Sequence, residues 1–293
     1  MPAVVLFILG LIFVQPALAQ LRVDVSFKRS LYLKNEPIVA TVTIENQTGR
    51  ELNLSDGDGK PWFGFAIESL SGHLVPPRNP DYSLEPVQIG PGQTLKRDWN
   101  ITPLYAISEY GSYHVQANVY VPETHTYVSS LQRTINITEG RTLWQQTAGV
   151  PSDLEGAGST RAISLISMRL SRSNVLYLRI EDPVAGITFA THRLGTFVNF
   201  GAPNVQLDAH NDIHILQNSA PKVYLYTKVD LNGNILERKS YEEARTPPSL
   251  HKSGATVTVT GGVLQAKPAA SASPGKPSKS QSLSDRPAEL PQD

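Results

Sequence analysis

The chain has 293 residues, of which 26 are basic and 26 acidic, so its formal net charge is zero and no global field steers it toward nucleic acid or an anionic membrane. With 40% hydrophobic and 18% charged residues it has the balance of a globular protein long enough for two cores. It has no cysteine, which excludes disulfides, thiolate metal sites, cysteine nucleophiles and a lipidated N-terminal cysteine; any domain must hold together on apolar burial alone.

Val4 to Val14 is an apolar run of signal-peptide length, and Ala17-Leu18-Ala19 is an A-x-A cleavage site. The expectation is a signal peptide over residues 1–19, cleaved after Ala19, and a periplasmic or secreted protein. No Lys or Arg flanks the run, which leaves an uncleaved anchor as the alternative. Nothing later approaches the ~20 apolar residues of a helical span, so no transmembrane span is expected in the mature chain. Cysteine-free export fits a bacterial envelope. In that setting the sequons at Asn46, Asn100 and Asn136 read as turn and strand residues rather than glycan acceptors.

From residue 20 the pattern is strands and turns with no helical period. Val23, Val25 and Phe27 alternate, and after Glu36-Pro37 so do Ile38, Ala40, Val42 and Ile44, closed by the turn Asn46-Gln47-Thr48-Gly49. Leu52 and Leu54 mark a short strand and Trp62 to Leu70 a longer one. Pro76 to Pro80 is excluded from any central strand. Gly90-Pro91-Gly92 turns into a strand carrying Leu95, Trp99 and Ile101. The strongest alternation runs from Glu109 to Val121, with Tyr113, Val115, Ala117, Val119 and Val121 on one face. A last strand carries Leu131, Ile135 and Ile137.

Glu109-x-Gly111-x-Tyr113-x-Val115 resembles the Asp-x-Gly-x-Tyr-x-Cys of immunoglobulin-type domains, where the tyrosine bonds back to the backbone at a corner of the sandwich. Together with Asn46-x-Thr48-Gly49 and Gly90-Pro91-Gly92, the layout also looks like the macroglobulin-type and BsuPI-type inhibitor sandwiches of exported bacterial proteins. The resemblance implies an immunoglobulin-like β-sandwich over residues 20–139. It is one of layout, so inhibition is not carried over with it.

Between 140 and 160 the alternation stops, and Gly156-Ala157-Gly158-Ser159-Thr160 reads as part of a flexible linker. A second all-β domain is expected over 161–265. Within it Leu178 to Ile187 can be laid over Thr227 to Ile235: a strand, an acidic residue, a Gly turn, a returning strand. The segment from Pro203 to Ile215 likewise aligns with that from Pro248 to Val259. Such hairpins resemble propeller blades, but two units cannot close a ring; a sandwich of two blade-like sheets is expected. Residues 266–293, rich in Pro, Ser, Ala and Lys, read as a disordered tail.

Asp56-Gly57-Asp58-Gly59 starts like a calcium loop, but Lys60 and Ile67 stand where the fifth and twelfth ligands belong, so a Gly-Asp turn is the reading. Asp208, His210, Asp212 and His214 would line one face of an unbroken strand and suit a metal. A hairpin turn at Ala209 to Asn211 splays them, and no metal is expected. No Gly-x-Ser-x-Gly elbow, His-Glu-x-x-His or Gly-rich phosphate loop occurs, so no catalytic residue and no cofactor is expected, a site assembled from distant loops remaining open. Trp62, Phe63, Phe65, Tyr105 and Tyr110 are the candidate ligand-contact aromatics. They form either a sugar-stacking or peptide-binding surface at the end of the sandwich, or its core tryptophan with neighbours.

These residues point to an exported, non-enzymatic binding or scaffolding protein of the bacterial envelope, with a protein or a polysaccharide as partner and no nucleic acid. The alternatives are a carbohydrate-binding module, distinguished by exposure of Trp62 or Tyr105, and an accessory subunit or inhibitor of a secreted hydrolase.

Overall fold

Alternation in the sequence becomes alternation of burial, strand by strand. The computed structural model describes residues 21–265, except 81, 82, 155, 172, 199 and 200, and among them no residue lies in an α-helix. No helix among the described residues is long and apolar enough to cross a membrane. The expected signal peptide and the 266–293 tail lie outside the described residues. The protein is all-β.

The first unit runs through β1 (Leu21–Phe27), β2 (Leu31–Leu33), β3 (Val39–Asn46), β4 (Leu52–Leu54), β5 (Phe63–Ser69), β6 (Val87–Ile89), β7 (Thr94–Asn100), β8 (Gly111–Val121), β9 (Thr126–Ser129) and β10 (Arg133–Thr138). One sheet has the order β1-β3-β7 and the other β2-β10-β8-β5, with β9 added to β8. Every named pairing in these sheets is antiparallel except β2 with β10, which is parallel. The inward residues of both sheets share one core: Val25, Val42 and Ile44 from the first meet Ile67, Val115 and Ile135 from the second. Each such side chain contributes about 1.5–3 kcal/mol over leaving it in water. Ahead of β8 the Tyr113 hydroxyl donates to the Glu109 carbonyl at 2.9 Å, the corner bond expected from the sequence. Asn46, in the first sequon, is buried, and its amide donates to the carbonyls of Arg50, Ile89 and Gly90. Leu131 differs from expectation: it precedes β10 and is exposed.

The second unit contains β11 (Arg141–Gly149), β12 (Thr160–Leu170), β13 (Ser173–Asp182), β14 (Ile187–Phe197), β15 (Asn204–Leu207), β16 (Ile213–Ala220), β17 (Val223–Val229), β18 (Ile235–Glu242), β19 (Ser249–Ser253), β20 (Thr256–Thr260) and β21 (Val263–Leu264). Consecutive strands pair into two meanders, β11-β12-β13-β14 and β15-β16-β17-β18, the second extended by β21. Leu165, Leu178 and Ile180 of the first meander share a core with Ile213, Ile215 and Val229 of the second. The β19-β20 hairpin lies over the outer face of the second meander, where Leu250 and Val257 meet Leu216 and Tyr226.

Strands β12 and β13 read as continuous apolar runs because both their faces are covered. Ile163, Leu165, Leu176 and Leu178 turn toward the second meander. Ile166, Met168, Val175 and Tyr177 turn the other way and enclose Leu33 from β2 of the first unit. The two units are therefore joined by a small core of their own.

That junction overturns the expected linker at 140–160. Arg141–Gly149 is β11, hydrogen-bonded along β12 from Arg141↔Ser167 to Gly149↔Thr160, and of the expected linker only the described residues between Val150 and Ser159 are loop. Polar residues at the exposed edge of a sheet show no alternation, which is why Gln145, Gln146 and Thr147 read as linker. Gly140 makes the crossing in the left-handed region, at φ 74°, where an added Cβ would stand 2.6 Å from Ile166 Cγ2 and 2.8 Å from Leu33 Cδ2.

Candidate functional site

A turn after β2 sets the geometry between the units. Glu36, buried, accepts the Leu33 amide at 3.0 Å and the Arg29 guanidinium at 2.5 Å. The same guanidinium donates to the Tyr177 hydroxyl of β13 at 2.8 Å. Arg179 of β13 donates to the Lys34 carbonyl at 2.7 Å, and the Asn35 amide donates to Thr188 Oγ1 of β14 at 2.7 Å. Polar bonds thus flank the apolar contact around Leu33 and fix the orientation of the first sandwich against β13 and β14.

Beside this junction lies a cleft of about 610 Å³ walled by both units. Asn35, Arg78, Asn100, Thr102 and two prolines form one wall. Every residue from Gly186 to His192 forms the other, so the N-terminal part of β14 presents its edge as well as its faces. The hairpin tip Asn232-Gly233-Asn234 closes one end. Gly233, at φ 88°, is packed so closely that an added Cβ would stand 2.5 Å from Ala190 Cβ, and its carbonyl lies 2.5 Å from His192 Nε2. Among the described residues no Asp or Glu lines the cleft, whereas Arg78 does. The Arg78 Nε donates to the Tyr105 carbonyl at 3.2 Å, which anchors the side chain beside the cleft.

The sequence-selected aromatics are placed otherwise. Trp62 is fully buried, with its indole N–H donating to the Leu84 carbonyl at 3.3 Å; Phe63, Phe65 and Tyr105 are buried with it. Phe63 stacks on Trp99 at 4.4 Å between ring centroids, and the Tyr105 hydroxyl donates to the Phe65 amide at 2.7 Å. Burial pushes the Tyr105 hydroxyl up from its ordinary pKa. Edges of Phe63, Phe65 and Tyr105 line a separate apolar pocket of about 130 Å³ under the proline loop, too small for a sugar ring with its hydroxyls hydrated. Only Tyr110 is exposed, at 51%, with Lys34 Nζ 5.3 Å from its ring centroid. Of the two readings of these aromatics the structure gives the core one for all but Tyr110: inward alternation in β5 places Phe63 and Phe65 in the core, and Trp62 is drawn in with them.

Asp208 to His214 form the expected hairpin, with residues 209–210 in the turn and Asn211 at φ 63°. His210 projects away, while His214 is buried with Nε2 3.1 Å from Asp208 Oδ2 and Nδ1 2.8 Å from the Tyr226 hydroxyl. Lys228 bridges Asp208 at 3.2 Å and Asp212 at 2.9 Å. Burial alone would raise the Asp208 carboxyl, but bonds from His214, Lys228 and the amides of Asp212 and His210 hold it below the ordinary range. Asp208, Asp212 and His214 are thus paired internally, with the Lys228 ammonium as the cation between the two carboxylates. At Asp56 to Gly59 the expected turn is present; Asp58 accepts from the Tyr120 hydroxyl and from His125 Nδ1 at 2.7 Å. Among the described residues no group of three His, Cys, Asp or Glu is arranged to hold a metal ion.

Sequence reasoning missed the cleft because its walls come from separated segments, none with a motif. The one available signal was the hairpin repeat: its two Gly tips, at Gly186 and Gly233, both line the cleft.

No protein-family model matches the chain. No curated protein matches it either. Among solved structures it is similar to Spo0M, a sporulation control protein from Bacillus subtilis, at 10% identity and a TM-score of 0.30, over 57% of this chain and 82% of that one. At that distance no function transfers.

Proposed function

We propose that the chain is an exported, non-enzymatic binding or scaffolding protein of the bacterial cell envelope, and that the cleft between its two β units is its binding surface. The observation that carries this reading is the cleft itself, about 610 Å³ with walls from both units and a preformed junction between them. A ligand there would meet walls already ordered, which lowers the entropy cost of binding. Export rests on the apolar run from Val4 and the Ala17-Leu18-Ala19 site in a cysteine-free chain. An immunoglobulin-type wiring of the first unit is supported by the Tyr113 corner bond and by the parallel β2-β10 pair closing one sheet. The carbohydrate-module alternative loses its support with the burial of Trp62 and Tyr105.

The test is affinity capture from the source envelope with the full chain as bait, beside the variant Asn100→Trp, which fills the cleft from the rim of β7. A protein retained by the parent and lost by the variant is the expected result. Equal recovery by both would remove the cleft from the proposal, and recovery of polysaccharide in place of protein would change the partner class. Periplasmic fractionation with N-terminal sequencing, expected to begin at Gln20, tests export.

A further inference from the structure

We infer that the cleft takes an extended peptide bearing a carboxylate, laid along the free edge of β14; this rests on the cleft being the binding surface. Strand β14 ends its sheet, so one row of its backbone groups has no strand beside it. The Arg193 carbonyl, which accepts from Arg238 at 3.3 Å, marks the side facing away from β13. Thr191, two residues earlier with no irregularity between, points its backbone the same way. From Gly186 to His192 the strand wall is continuous in the cleft, which is the form a strand edge gives and a pocket of converging side chains does not.

Two further observations bear on the occupant. Thr191 is more than nine-tenths buried, yet its Oγ1 has no hydrogen-bond partner among the described residues. This hydroxyl is closed to solvent, so an occupant satisfies it only where the strand edge opens to reach it. Among the described residues the lining also holds Arg78 and no carboxylate, so the complementary group is an anion. Among the described residues the Arg78 guanidinium bonds only through Nε, to the Tyr105 carbonyl, which leaves its outer edge for a carboxylate. Ile187, half exposed, and Phe189, stacked 4.0 Å under the Arg161 guanidinium, give apolar contact for alternate peptide side chains. The bulge at Phe189 keeps the added rung short, so the carboxylate contact sets the preference.

The experiment titrates the full chain with three synthetic peptides of alternating valine and threonine: one with a central glutamate, one with a central lysine, and the glutamate peptide N-methylated at alternate amides. Amide chemical shifts report the site. The glutamate peptide is expected to bind at least roughly tenfold more tightly than the lysine peptide, shifting Ile187 to His192. Arg78→Gln removes that preference and Arg78→Lys restores part of it, while N-methylation abolishes binding. Undiminished binding of the N-methylated peptide overturns strand addition, and equal binding of the lysine peptide overturns the acidic preference. If no peptide binds while envelope capture still depends on an open cleft, this inference fails and the binding-protein reading stands. If a second copy of the chain is found in the cleft instead, the peptide is the wrong occupant.

Discussion

The Arg29 guanidinium spans from the buried Glu36 carboxylate, at 2.5 Å, to the Tyr177 hydroxyl, at 2.8 Å, so one side chain ties the turn of the first unit to β13 of the second. Replacing Arg29 by Ala strands the Glu36 charge in the interior, which costs about 3–5 kcal/mol. Tyr177→Phe removes only a neutral partner and costs about 1 kcal/mol. Urea unfolding of the full chain distinguishes the two, the midpoint of Arg29→Ala being expected to fall further than that of Tyr177→Phe.

Gly140→Ala is expected to destabilise by about 1–3 kcal/mol or more. The residue needs a positive φ of 74°, and the new methyl would collide with Ile166 and Leu33 at 2.6 and 2.8 Å. Gly49→Ala is the control: it shares the φ strain, at 75°, without any atom within 4 Å. A larger drop in midpoint for Gly140→Ala measures the packing part alone.

Stability should fall at low pH through Asp208. Its folded pKa lies below the ordinary 3.8, so its contribution is present above that value and is lost as pH falls through the folded one. The gap between the parent and Asp208→Asn is then widest near neutral pH, roughly 1–3 kcal/mol, and closes in strong acid. Denaturant midpoints measured from pH 7 downward follow it.

On the alkaline side Tyr226 acts in the opposite sense. Burial, with Glu237 nearby, pushes its hydroxyl from 10.0 to about 12. A raised folded value stabilises below the unfolded pKa of 10.0 and is lost as pH rises through about 12. Tyrosinate absorbance should show a late-titrating component, shared with Tyr120, that Tyr226→Phe reduces together with part of the alkaline loss of stability.

Corner geometry gives a further measurement. Tyr113→Phe deletes the bond to the Glu109 carbonyl and leaves the ring in place, with an expected loss of about 1 kcal/mol. A larger loss would mean that the corner also orders the loop ahead of β8.

Much of the fold was legible because strand burial has a period of two. Val23 and Val25, Ala40 to Ile44 and Tyr113 to Val121 each declare a face that one neighbouring sheet can cover. The turn chemistry at Asn46, and the repeat relating the β13-β14 and β17-β18 hairpins with their Gly turns, were legible for the same local reason. What the sequence by itself determined was therefore the all-β class, the strand faces and the hairpins. Tertiary structure alone decided the rest. A largely polar edge strand such as β11 looks like linker until β12 is seen beside it, because only Leu143, Trp144 and Ala148 of it reach the core and they do not alternate. Trp62 and Tyr105 carry nothing in the sequence to separate core from surface, since an aromatic ring suits both, and packing against Leu84 and Phe65 settled it. The junction and its cleft depend on contacts such as Asn35 with Thr188, far apart in the chain, and no local signal encodes where two separately folded surfaces meet.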